Sequence, residues 1–135
     1  MEAVSKLRNI PMSARKMRLV VDIIRGKDVD QALDILKFTK KEAAVWVEKA
    51  LLSAISNWEN KNSGAADADP DSLFVKEIFS DQGSMLKRFR PAPHGRAHRI
   101  RKHTNHVTIV VDSRNPVGPV VEDAVEVEEV ETSED

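Results

Sequence analysis

The sequence predicts an α+β domain: three helices packed on a small antiparallel sheet, with a long protruding β-hairpin. Three observations carry this. Over residues 13–61 apolar side chains recur at helical spacing. Over 73–79 and 106–112 they give way to runs of β-branched and aromatic residues. The stretch joining those two runs has almost nothing apolar to bury. At 135 residues, 41% hydrophobic and 32% charged, the chain is expected to be one globular domain.

The elements follow in order. AVSKLRNI (3–10) mixes apolar and basic positions and reads as a short edge strand. Ser13 stands where an N-cap belongs, and ARKMRLVVDIIRG follows. Leu19, Val20, Ile23 and Ile24 fall at helical spacing as its apolar side, Gly26 supplies the stop, and Arg15, Lys16, Arg18 and Arg25 occupy the rest. Asp28 and Gln31 suggest a second start, with Ala32, Leu33, Ile35 and Leu36 turned inward. Thr39 and Glu42 have capping-box spacing and predict the start of the longest helix, roughly 40–61. Its stripe runs through Ala43, Val47, Ala50, Leu51, Ala54, Ile55 and Trp58.

NKNSGAADADPDS (60–72) is a loop by composition. LFVKEIF (73–79) and HVTIVVD (106–112) are the bases of two limbs, and Pro91, Pro93 and Gly95 mark the turn between them. The domain is thus expected over 1–120, with a hairpin arm over about 73–112. Residues 121–135 are expected to form a disordered acidic tail, too charged and too poor in aromatics to fold.

The formal net charge of −1 conceals a segregation of signs. Eight of the 22 acids lie in the last fourteen residues, so over 1–121 the 21 bases face only 14 acids, a surplus of seven. Residues 1–27 carry seven Lys or Arg against Glu2 and Asp22; residues 85–106 carry seven, and all four His, against no acid. Two dense basic patches point to a polyanionic partner. The arm's outer half has no core of its own, and a lone two-stranded ribbon is marginal in water, so that partner is expected to hold it. Arginine's planar fork suits phosphate, and extended basic segments that order on binding are an RNA habit. With six aromatics and no alternating aromatic motif, recognition of folded RNA by shape and phosphate is favoured over base stacking.

Other classes find less support. Zero Cys excludes disulfides and thiolate zinc sites, no run approaches the roughly 18 apolar residues of a membrane span, and the N-terminus lacks a signal peptide's apolar region. His94, His98, His103 and His106 have spacings a metal site would allow, but no acid stands between 82 and 111 to complete one, and arginines crowd them. No metal, cofactor or catalytic role is expected. A free RNA chaperone or regulatory RNA binder would share the charge pattern.

MSARKMRLVVDIIRGK (12–27), with its Ser-x-x-Lys opening and Ile-Arg-Gly-Lys ending, and GRAHRIRKHTNHVTIVV (95–111), with Gly-Arg-Ala, Arg-Ile and Thr-x-His-Val-x-Ile, resemble the universal L-twenty-two family of bacterial large-subunit ribosomal proteins. The likeness covers roughly residues 2–113. It implies a non-enzymatic, cytoplasmic component of the large subunit, with ribosomal RNA, neighbouring ribosomal proteins and the nascent polypeptide as partners. It places RNA contacts on Ser13, Arg15, Lys16 and Arg18 of the first helix, and on Lys87, Arg88, Arg90, Arg96, Arg99, Arg101, Lys102, Thr104 and His106 of the hairpin. It implies that the tip, here Arg90, Pro91, Ala92, Pro93, His94, Gly95 and Arg96, lines the polypeptide exit tunnel. The tip is less basic than the family's usual Pro-Arg-Ala-Lys-Gly-Arg-Ala, and His103 stands where Arg is commoner.

Overall fold

The computed structural model describes residues 2–63 and 69–114. Strand β1 (Ala3–Ile10) leads to helices α1 (Ala14–Ile24), α2 (Val29–Phe38) and α3 (Glu42–Lys61), and then to two long strands, β2 (Leu73–Pro91) and β3 (Ala97–Ser113). The sheet is antiparallel throughout, in the order β1-β3-β2. The α+β class, the edge position of β1 and the hairpin all match expectation. The acidic segment 121–135 lies outside the described residues.

The strands' alternation decides which face the helices cover. Ala3 and Ser5 on β1, Val107, Ile109 and Val111 on β3, and Leu73, Val75 and Ile78 on β2 are buried. Against them pack Met17, Val20, Val21 and Ile24 of α1 and the α3 stripe Ala43, Val47, Leu51, Ala54 and Trp58. Trp58 is 1% exposed, and truncating so large a core side chain to Ala costs about 3–5 kcal/mol.

Two local expectations fail. Leu19 and Ile23 of α1 are 54% and 44% exposed, and Met17 and Val21 are buried instead. The run LVVDII is apolar on too many sides to fix its own phase. What fixes it is the spacing Ala14, Met17, Val21, Ile24, together with Arg18 and Arg25, which reach backbone carbonyls of β2. The capping box is likewise absent. Thr39 ends α2, donating its hydroxyl to the Ile35 carbonyl at 2.6 Å and its N–H to Leu36 O at 3.3 Å. Helix α3 begins at Glu42 behind Lys41, whose side chain makes no cap. With only three residues between the helices, Thr39 is still occupied by the first when the second begins. Ser13, by contrast, caps as predicted, its Oγ accepting from Lys16 N at 3.4 Å.

Candidate nucleic-acid interface

Three strands run side by side only as far as the pair Ile10–Asn105. Beyond it β2 and β3 continue alone, from Met85–His103 to Pro91–Ala97, as a two-stranded arm. At about 3.3 Å per residue the arm projects roughly 25–30 Å. The register sorts its side chains. Lys87, Phe89, Arg99 and Arg101 share one face; Leu86, Arg88, Arg90, His98, Ile100 and Lys102 share the other. Both faces are therefore cationic.

No arm cation forms an ion pair with a carboxylate among the described residues. Phe89 is 74% exposed and Leu86 50%, so neither builds a core for the ribbon. At the tip Ala92 N–H donates to Arg96 O at 2.8 Å and closes the turn. A single 3-10 turn, Pro93–Gly95, fills it, with His94 at φ 63° and Gly95 at φ 69°. Proline's fixed φ and two left-handed residues give the tip a defined shape.

The fold brings together the two basic segments that the sequence holds far apart. Ser13, Arg15, Lys16, Arg18 and Leu19 of α1 share an open groove with Gln82 and His103 at the arm's root. A continuation of it is lined by Ser13, Lys16, Arg101, Lys102 and His103, with Glu42 the one carboxylate among them. The first turn of α1 carries no acid, so its partial positive charge adds to that of the side chains. A groove open to solvent and walled mainly by cations fits an extended anion passing through, such as a phosphodiester backbone.

Some of the residues expected at the interface also make side-chain hydrogen bonds within the fold. Arg18 lines the groove, yet its guanidinium is anchored on Ser80 O. The Thr104 hydroxyl donates to Ser84 O at 2.5 Å, and His106 Nδ1 accepts from Asn9 N–H at 3.1 Å. The four histidines do not converge, and among the described residues no three His, Asp or Glu side chains form a group able to hold a metal. Sequence reading passed over Lys6 and Arg8. They project from the sheet face that no helix covers, where they line a recess with Asn9, Asp81, His106 and Thr108. Their alternation with Ser5 and Leu7 was the available signal.

A helical layer on a small sheet, with an acid-free arm rooted beside a helix N-terminus, defines a class of small proteins that present charge on a projecting ribbon. Residues 5–112 match the family Ribosomal protein L22p/L17e. The chain is 59% identical over 113 residues to Large ribosomal subunit protein uL22 of Christiangramia forsetii, covering 84% of this chain and 83% of that protein. It is 60% identical over 113 residues to the protein of the same name from Flavobacterium johnsoniae (84% and 82% covered) and 59% identical over 111 residues to that of Bacteroides fragilis (82% and 80%). The chain belongs to this large-subunit ribosomal protein family. These relatives are named as ribosomal proteins, none as an enzyme.

Proposed function

We propose that this chain is a structural constituent of the large ribosomal subunit, in the cytoplasm, that binds large-subunit ribosomal RNA and aids its assembly. Its arm runs into the RNA, and its tip, residues 90–96, lines the polypeptide exit tunnel and meets the nascent chain. The observation that carries the RNA-binding reading is the arm itself: seven Lys or Arg on a ribbon without a core and without a carboxylate partner among the described residues. Such a ribbon gains more from phosphate than from any group in its own chain.

Lys87, Arg88, Arg90, Arg96, Arg99, Arg101 and Lys102 serve as phosphate contacts along the limbs and tip. Ser13, Arg15, Lys16 and Arg18 contact the same RNA across the groove. The tunnel placement rests on the family resemblance and on the shaped tip. Neighbouring ribosomal proteins are further partners.

Sedimentation of the tagged chain through a sucrose gradient after a high-salt wash tests this reading. Co-migration with large subunits is expected. A chain found only in light fractions, bound to free RNA, is instead an RNA chaperone or regulatory binder.

A further inference from the structure

We propose that the consecutive residues Thr104, Asn105 and His106 are the positioning residues of the arm. They fix the direction in which it leaves the domain, and they influence RNA binding through that direction rather than by touching RNA. The consequence for binding rests on the RNA-binding reading above; the geometry does not.

At the arm's root each strand flanking β3 has one residue too many. On β2 the step from Gln82 to Met85 is matched by the step from Asn105 to His103, so Gly83 and Ser84 face Thr104 alone. On β1 the step from Leu7 to Ile10 is matched by Val107 to Asn105, so Arg8 and Asn9 face His106 alone. A bulge bends its strand and raises the local twist. Two bulges at one level, on opposite sides of the central strand, therefore aim everything beyond them. No helix packs under the outer arm, so the aim has to be held by side chains at the root.

Each of the three residues ties the root to its surroundings. Thr104 donates to Ser84 O inside the β2 bulge at 2.5 Å. His106 accepts Asn9 N–H inside the β1 bulge at 3.1 Å, where Asn9 takes the left-handed φ of 57°. Asn105, fully buried between them, donates to Met12 O at 2.7 Å and accepts from Ser80 Oγ at 3.4 Å, tying the root to the turn before α1. Gly83 closes the lock by having no side chain. A Cβ there would stand 2.5 Å from Thr104 Oγ1 and 3.2 Å from the His106 ring.

Direction matters because the groove has two walls. Arg101, Lys102 and His103 follow immediately beyond the lock and stand beside Ser13 and Lys16 only while the root keeps its bend. A swivelling root would separate cations that otherwise engage one RNA together. Binding would then fall by the fraction of time the arm is correctly aimed.

The test compares Thr104→Val, which keeps the shape and removes the donor, with Thr104→Ser, which keeps the donor, and with Gly83→Ala. The chain has no cysteine, so spin labels at Glu59→Cys and Ala97→Cys, both exposed, report one distance from domain to arm. In the free protein the Val and Ala variants should broaden or shift that distance, and the Ser variant should not. Unlabelled Val and Ala variants should bind a large-subunit ribosomal RNA fragment about five-fold more weakly, the equivalent of one lost hydrogen bond, with the Ser variant restoring affinity. An unchanged distance in Thr104→Val overturns the proposal, whether or not binding weakens; weakened binding with an unchanged distance makes Thr104 an RNA contact. A changed distance with undiminished affinity also overturns it. Failure of the wild-type chain to bind any such fragment refutes the RNA-binding reading and leaves the root geometry standing.

Discussion

Arg18 donates to the Ser80 carbonyl from Nε at 3.3 Å and from Nη2 at 3.1 Å, laying a helix side chain along the outer edge of β2. Arg25, two turns on, does the same to Ile78 O at 3.3 and 2.9 Å. Gly26 N–H reaches Val75 O at 3.0 Å, and Val75 N–H reaches Lys27 O at 2.9 Å. The domain's part of β2 is an edge strand without an available edge. Strands left open there are templates for pairing with other chains. Arg18 and Arg25 thus hold α1 against β2, and Arg18 also lines the groove beside Arg15 and Lys16.

The first prediction follows from that edge. Replacing Arg18 and Arg25 together with Met keeps the apolar stems and removes the donors. Each loss should destabilise the domain by about 1 kcal/mol, since both guanidinium groups are partly solvated. Thermal unfolding should move down by several degrees, and light scattering should show self-association that the wild type lacks. An unchanged melting temperature would mean water satisfies those carbonyls equally well.

The second uses the missing cap. Lys41 occupies the N-cap of α3 with no side-chain hydrogen bond, and it places a positive charge at the helix's positive end. Lys41→Asp supplies an acceptor and a favourable charge, and should stabilise the chain by about 1 kcal/mol in denaturant titration. Thr39→Asp, which would cap α3 if the helix began where the Thr-x-x-Glu spacing suggests, should not stabilise.

What the sequence made legible follows from how local each signal was. Helix α3 was readable because one stripe, from Ala43 to Trp58, persists over four turns. The strands and their turn were readable because β-branched runs and Pro91, Pro93 and Gly95 act within a few residues. The rotation of α1 was not, because Val20, Val21, Ile23 and Ile24 support two phases and the deciding contacts lie on Ser80 and Ile78. Nor was the root. That Gly83 must lack a side chain depends on Thr104 and His106, which only the register brings opposite. The two cationic segments were visible as charge, but their meeting at Lys16 and His103 is a property of the fold.

The third prediction concerns phosphate contacts. Binding of residues 1–121 to a ribosomal RNA fragment should weaken steeply with salt, and Arg99→Ala, Arg101→Ala and Lys102→Ala should each flatten the log–log slope by about one unit. Leu52→Ala, exposed on α3 away from the groove, should leave the slope alone. If the triple variant keeps the wild-type slope, the limbs do not touch phosphate.

Hydrogen exchange on the free protein supplies the fourth. Amides of β2 and β3 inside the three-stranded region, including Val107 and Ile109, sit over the helices and should be strongly protected. Protection should persist to the lock at Ser84 and Thr104 and fall sharply from Leu86 to Ile100, where two strands stand alone with Phe89 and Leu86 in water. RNA should extend it outward. Protection over 86–100 equal to that of Val107 in the absence of RNA would sink the idea that the partner orders the arm.

The last prediction concerns the tip. Ala92 to Arg96 bury nothing in the domain, and their one backbone closure, Ala92 N–H to Arg96 O, is local. Deleting Ala92–His94 should therefore leave the melting temperature unchanged. It should also leave incorporation into large subunits nearly intact, because Arg99, Arg101 and Lys102 remain on the limbs. What changes is the wedge: Pro93 and the left-handed His94 give it its shape, and without them the turn shortens. On the proposed tunnel placement the wedge would act by bulk and charge, with His94 and Arg96 offering donors to the chain and to nearby phosphate. Nascent chains carrying a photo-crosslinker, arrested at a series of lengths, should label His94 or Arg96 within a narrow window of lengths, and the deletion should abolish that window. If no length of nascent chain labels residues 90–97 of the intact protein, the tip does not line the tunnel.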